Sequence, residues 1–128
     1  MNEADQTVLL QRFVGALGAL DVDGLREICT DDVSWTIPGE SRISGRKEGV
    51  EEIISVARTT QEYGIVGTVE KVFQGRDSMV ILVSDKGNQN GRNLDIQVAL
   101  SIEFRDCRIS ALVAHHSDVA MLTSYLAH

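Results

Sequence analysis

Between Asn93 and Arg105 the chain alternates with little interruption. Leu94, Ile96, Val98, Leu100, Ile102 and Phe104 are separated one by one by Asp95, Gln97, Ala99, Ser101 and Glu103. A repeat of two is the repeat of a β-strand, and no helix gathers these six apolar residues on one side. The strand has one apolar and one polar face, so it demands two things. Neighbouring strands must take up its backbone hydrogen bonds, and a second layer must cover its apolar face.

The neighbours are legible on both sides. Ile65 to Gln74 carries Val66, Thr68, Val69, Val72 and Phe73, and Gly75-Arg76-Asp77 reads as a turn. Met79 to Ser84 is almost wholly apolar, which predicts burial on both faces. Asp85 to Gly91 reads as a polar hairpin loop in which Asn90-Gly91 takes positive φ. After a tight turn at Arg105 to Arg108, Ile109 to Ser117 forms the last strand. Ala111 and Val113 alternate there with Leu112 and Ala114, all apolar. A strand apolar on both sides needs cover on both sides, so the expectation is a homodimer paired through the outer sheet face.

The covering layer is helical. From about Asp5 to Leu20, the residues Leu9, Phe13, Ala16, Leu17 and Leu20 recur at three- and four-residue spacing. Gly15 and Gly18 interrupt this helix and suggest room for another element to approach. Asp21 fits an N-cap, and a short second helix runs through Leu25, Ile28 and Cys29 toward a turn at Asp31-Asp32. Val33, Trp35 and Ile37 then alternate with Ser34 and Thr36 as a strand that Pro38-Gly39 ends. A third helix from about Lys47 to Glu62 has Val50, Ile53, Ile54 and Ala57 as its apolar stripe, with Gly64 to stop it. Asp118 caps a final helix using Val119, Met121, Leu122 and Tyr125. Helices segregated to one side of a curved sheet make an α+β domain spanning 1–128. An opening at one end of such a cone is the natural pocket for a small molecule.

Charge and composition remove several classes of partner. The net charge is −7 and the isoelectric point about 4.8. A surface of that sign repels the phosphates of nucleic acid and the anionic membrane leaflet. The N-terminus has no basic and apolar leader pattern, which points to a cytoplasmic protein. Cys29 and Cys107 are isolated and read as free packing thiols, so no zinc site or other metal is expected.

Three strings carry a resemblance that covers essentially the whole chain. They are Leu25-Arg26-Glu27-Ile28-Cys29-Thr30-Asp31-Asp32-Val33, then Trp35-Thr36-Ile37-Pro38-Gly39 with Ser44-Gly45 following, and Arg108-Ile109 with His115-His116-Ser117-Asp118 at the end. With this order of elements the chain resembles the NTF2-like (cystatin-like) superfamily. Within it, the SnoaL-like, ketosteroid isomerase-related subgroup is the nearest in pattern. The resemblance implies a curved mixed or antiparallel sheet wrapped around three N-terminal helices. Its activities range from cofactor-independent isomerisation and cyclisation to non-catalytic binding or dimerisation. Ile37 stands where ketosteroid isomerases carry an aspartate base. No Arg-x-Asp string of the limonene epoxide hydrolase type occurs. Asp118 answers to the acid/base aspartate of the SnoaL-like cyclases.

The residues that can carry chemistry follow from this. His115, His116 and Asp118 lie within four positions and suit general acid–base work, with no cofactor required. Adjacent strand residues point to opposite faces, so only one of the two histidines can face the pocket. The plainer alternative makes Asp118 a helix cap and His116 its neighbour. Trp35 and Phe13 are candidate pocket walls, with core packing as the alternative. Tyr63 at a helix end is a candidate hydroxyl donor or a packing residue. Asp95 lies on the polar face of its strand, toward solvent, a partner subunit or a substrate.

Overall fold

The computed structural model describes residues 1–127. Its elements are α1 (Glu3–Ala19), α2 (Val22–Ile28), β1 (Cys29–Ile37), β2 (Gly45–Glu48), α3 (Val50–Glu62), β3 (Val66–Gln74), β4 (Ser78–Gln89), β5 (Arg92–Arg105), β6 (Arg108–His116) and α4 (Val119–Tyr125). The strands form one sheet in the order β2-β1-β6-β5-β4-β3. All neighbours are antiparallel except β1 and β6, which run parallel. The register shifts within β1–β6, β3–β4 and β5–β6, and such irregularities sharpen the local twist and bend that let a sheet curl around a layer of helices.

The helix starts follow the sequence chemistry. Asn2 and Asp5 close a reciprocal capping box on α1. The Asp21 carboxylate accepts from the Gly24 N–H at the start of α2. Helices α1 to α3 cover the inner face of the sheet. Leu25 and Ile53 from the helices and Ile102, Ile109 and Leu112 from the strands are at most 1% exposed. Each such side chain contributes about 1.5–3 kcal/mol by leaving water.

Three boundaries differ from the sequence expectation. Thr30 to Asp32 is no turn: β1 begins at Cys29, and the helix hands over directly to the strand. Exposed Asp32 is held there by an ion pair with Arg105 of β5. Gly45 to Glu48 is strand β2, paired on β1, and α3 starts only after Gly49, whose φ of +85° makes the bend. The third difference matters most. Residues Asp85 to Gln89 continue β4, and the hairpin is closed by Asn90-Gly91 alone, both at positive φ. In β4 itself Met79 and Ile81 are buried, but Val80 is 39% exposed. The outer face of this strand is open at Val80, while Leu82 is half-buried and Ser84 is buried.

α4 seals one end of the cone. Leu122, Tyr125 and Leu126 are buried beneath it. The Arg92 guanidinium donates to the Tyr125 carbonyl and the Arg42 guanidinium to the Leu126 carbonyl, each at 2.8 Å. These cations satisfy the free carbonyls of a helix C-terminus. The Tyr125 hydroxyl donates to the Tyr63 carbonyl at 2.6 Å. Among the described residues, no helix is long and apolar enough to cross a membrane.

Candidate functional site

The concave face encloses a cavity of about 310 Å³. Its floor is apolar: Ile37 of β1, Ile81 of β4, Leu100 of β5, Ala114 of β6 and Leu122 of α4. Its rim lies between α1 and β3, where Val14 is 47% and Val69 37% exposed, beside exposed Gly18, Gln61 and Gly67. The opening is therefore on the flank of the cone, between α1 and β3. A Cβ on Gly15 or Gly18 would meet nothing within 4 Å, so these glycines admit no close neighbour. Gly18 instead leaves the rim bare.

Strand register decides which side chains face in. Val98 on β5 pairs with Val83 on one side and His116 on the other, so these three share the inner face. Asp85 lies two residues beyond Val83 and returns to that face. Asp85 and His116 are the cavity's two titratable residues among those described. They stand two strands apart, roughly 10 Å across the sheet. Burial pushes the Asp85 carboxyl up to about 6. Burial also lowers the His116 pKa, with the charge of neighbouring His115 adding to the effect, which keeps the imidazole neutral near pH 7.

Two nitrogen atoms here are buried without a hydrogen-bond partner: the indole Nε1 of Trp35 and Nδ1 of His116. Leaving such a group unsatisfied costs about 1–3 kcal/mol. Both residues line the same cavity. Trp35 is braced edge-to-face by Phe13, with ring centroids 6.4 Å apart. The wall thus carries a desolvated carboxylate on β4 and the Trp35 and His116 side chains on β1 and β6, with apolar surface between them.

The structure brings Trp35, Phe13 and His116 of the expected residues into this cavity, and the others stand elsewhere. His115 and Asp118 are exposed, and the Asp118 carboxylate accepts from the Met121 N–H as the cap of α4. Asp95 is exposed on the outer face of β5, across from Lys86. Tyr63 lies outside the cavity lining, with the Arg42 guanidinium 5.4 Å above its ring. Asp85 is the residue that sequence reasoning missed, because Asp85-Lys86-Gly87-Asn88 has the composition of a loop. A signal was available. A two-residue Asn90-Gly91 turn fixes the hairpin register, and counting back from it sets Asp85 opposite Ile96.

A larger hollow of about 420 Å³ lies between α2, β2 and the start of α3. Its edge carries Arg26 with Asp31, Glu48, Glu51 and Glu52, four like charges exposed to solvent. Among the described residues, no three His, Cys, Asp or Glu side chains gather as metal ligands do.

Comparison with known proteins agrees with this architecture. A protein from a soil-derived mobile gene cassette, Bal32a, superimposes with a TM-score of 0.85 at 22% identity, over 96% of this chain and 97% of that one. An NTF2-like protein of Burkholderia xenovorans LB400 gives 0.82 at 15% identity, over 98% of each chain. A protein of Jannaschia sp. CCS1 described as a SnoaL-like polyketide cyclase gives 0.77 at 18% identity, over 98% of this chain and 94% of that one. At these identities the likeness shows the NTF2-like fold. No curated protein matches the sequence. The profile of the SnoaL-like domain matches residues 10–112, most of the chain. The chain belongs to the SnoaL-like domain family.

Proposed function

We propose that the protein is a cofactor-independent enzyme that moves a proton next to a carbonyl on a small apolar compound, giving isomerisation or cyclisation. One observation carries this reading: the desolvated Asp85 carboxylate, the Trp35 indole and the His116 imidazole belong to the lining of one apolar cavity. Asp85 acts as the base. A carboxyl titrating near 6 is ionised at neutral pH and is a stronger base than an ordinary aspartate. It takes the proton from the carbon beside the carbonyl, and the C–H electron pair moves onto the carbonyl oxygen. The Trp35 N–H and the His116 imidazole, further along the same sheet face, hold that oxygen as its charge grows. The protonated Asp85 then returns the proton at another carbon, which completes an isomerisation. Alternatively the enolate carbon bonds to a second carbonyl carbon of the same molecule, that carbonyl's π pair moves onto its oxygen, and the protonated Asp85 gives its proton to the alkoxide. A volume near 310 Å³ restricts the ligand to small compounds. Asp118 and His115 take no part in the step. Two copies pairing through the outer sheet face, where Val80 and Phe73 are exposed, belong to the same proposal.

The test is proton exchange. With 2-tetralone in heavy water, NMR follows loss of the protons beside the carbonyl. The expected result is exchange catalysed by the wild-type protein, about a hundredfold slower in Asp85→Asn and unchanged in Asp118→Asn. Equal rates in Asp85→Asn and wild type would remove the base. The second reading is a non-catalytic binding module, favoured because most residues of the cavity lining are apolar. It predicts that the ketone raises the melting temperature while exchange stays at the uncatalysed rate.

A further inference from the structure

We propose that Gly67 is the positioning residue for Asp85, and that its missing side chain is the slot in which the carboxylate is held at the cavity wall. This rests on the reading of Asp85 as the cavity's working acid. Gly67 on β3 pairs directly with Asp85 on β4. A Cβ built on Gly67 would lie 2.8 Å from Asp85 Oδ1 and 3.3 Å from Val83 Cγ1. The first distance is closer than the two atoms can come, so the carboxylate occupies the space a side chain would fill. Gly67 is absent from the residues at positive φ. Its backbone is therefore open to any residue, and turn geometry does not explain a glycine in the body of a strand. What explains it is the neighbour.

The direction in which the carboxylate would move is also set. On its far side from Gly67, Asp85 faces Ile96 of β5, which is 2% exposed. A methyl group at position 67, already pressed by Val83, drives the carboxylate from the rim toward Ile96. No other charge compensates there. Lys86 is exposed and alternates to the outer face, Gln61 on the rim is neutral, and His116 lies two strands away.

The experiment is a titration without ligand. Aspartate carboxyl carbons are labelled with carbon-13, and Asp85 is assigned by its loss in Asp85→Asn. In Gly67→Ala the Asp85 midpoint is expected to rise by about half a pH unit or more. Gly18→Ala, on the same rim with open space around it, leaves the midpoint where it was. A midpoint that stays or falls in folded Gly67→Ala overturns the proposal. If Gly67→Ala does not fold, the double variant Gly67→Ala/Asp85→Ala decides. Recovery of the fold supports a clash with the carboxylate, and failure to recover overturns it. The two proposals fail separately. Absence of ketone exchange strikes the activity and leaves the titration standing, while an unmoved titration strikes the slot and leaves the activity standing.

Discussion

Gly67 and Gly87 are both glycines of the β3–β4 edge, and each leaves a gap that a neighbour's polar group enters. At Gly87 the guest is the Tyr125 hydroxyl, which would sit 2.6 Å from an added Cβ. At Gly67 it is the Asp85 carboxylate, at 2.8 Å. The hydroxyl continues to a carbonyl at 2.6 Å and ties α4 to the end of α3. The carboxylate has no side-chain hydrogen bond among the described residues, and burial alone raises its pKa. The same backbone device thus serves a joint in one place and a strained acid in the other. Satisfied polar groups at the α4 end lend the fold stability, and unsatisfied ones in the cavity draw on it.

Two measurements sharpen this contrast. The larger effect is at Asp85. Its folded pKa of about 6 lies above the ordinary 3.8, so the native chain binds more protons than the unfolded chain between those values. Stability contributed by this group is therefore full below about pH 4 and is lost as pH rises to 6, by up to about 3 kcal/mol. His116 works in the opposite sense. Its lowered pKa makes the native state lose stability as pH falls below 6.5. Comparing Asp85→Asn with wild type isolates the first effect. The variant should be more stable by roughly 2–3 kcal/mol at pH 7 and nearly equal at pH 4, read by urea unfolding. Equal stability at both pH values would show that the carboxylate carries no strain. The smaller effect is at the joint. Tyr125→Phe should lose about 1–2 kcal/mol at every pH from 4 to 8, because a neutral hydroxyl is removed and a carbonyl is left unpaired. A pH-dependent loss there would break the distinction between the two sites.

Much of this architecture was legible in the sequence. The α+β class, the caps at Asp21 and Asp118, and the alternation through Leu94 and Phe104 are local patterns, and the structure has them. What escaped was set by pairing at a distance. Thr30 to Asp32 look like a helix end by composition, yet they run extended within β1, between Cys29 paired with Ile109 and Ser34 paired with Ala111 of β6. Asp85 looks like loop for the same reason, since a carboxylate beside lysine and glycine has low strand propensity. Twelve cross-strand pairs with β5 outweigh that preference. Of the candidate site residues, Trp35, Phe13 and His116 reach the cavity because strand and helix periodicity place them there. His115 is excluded by the same alternation that admits His116. Asp118 is engaged by the backbone of α4, which a sequence pattern can name but not weigh against other uses.

The parallel contact between β1 and β6 joins Cys29 to Ile109, 80 positions apart. The β4–β5 hairpin can close through a two-residue turn with little loss of chain freedom, whereas the β1–β6 contact encloses most of the polypeptide. Trp35 and Ile37 come from one side of that closure and Ala114 and His116 from the other. The chamber is therefore absent from any fragment or early intermediate that has only the hairpins. It exists only where β1 and β6 are joined, so a compound lodged in it recognises the finished fold alone. Such a compound would raise the unfolding free energy of the whole chain by the full linkage, RT ln(1 + [L]/Kd).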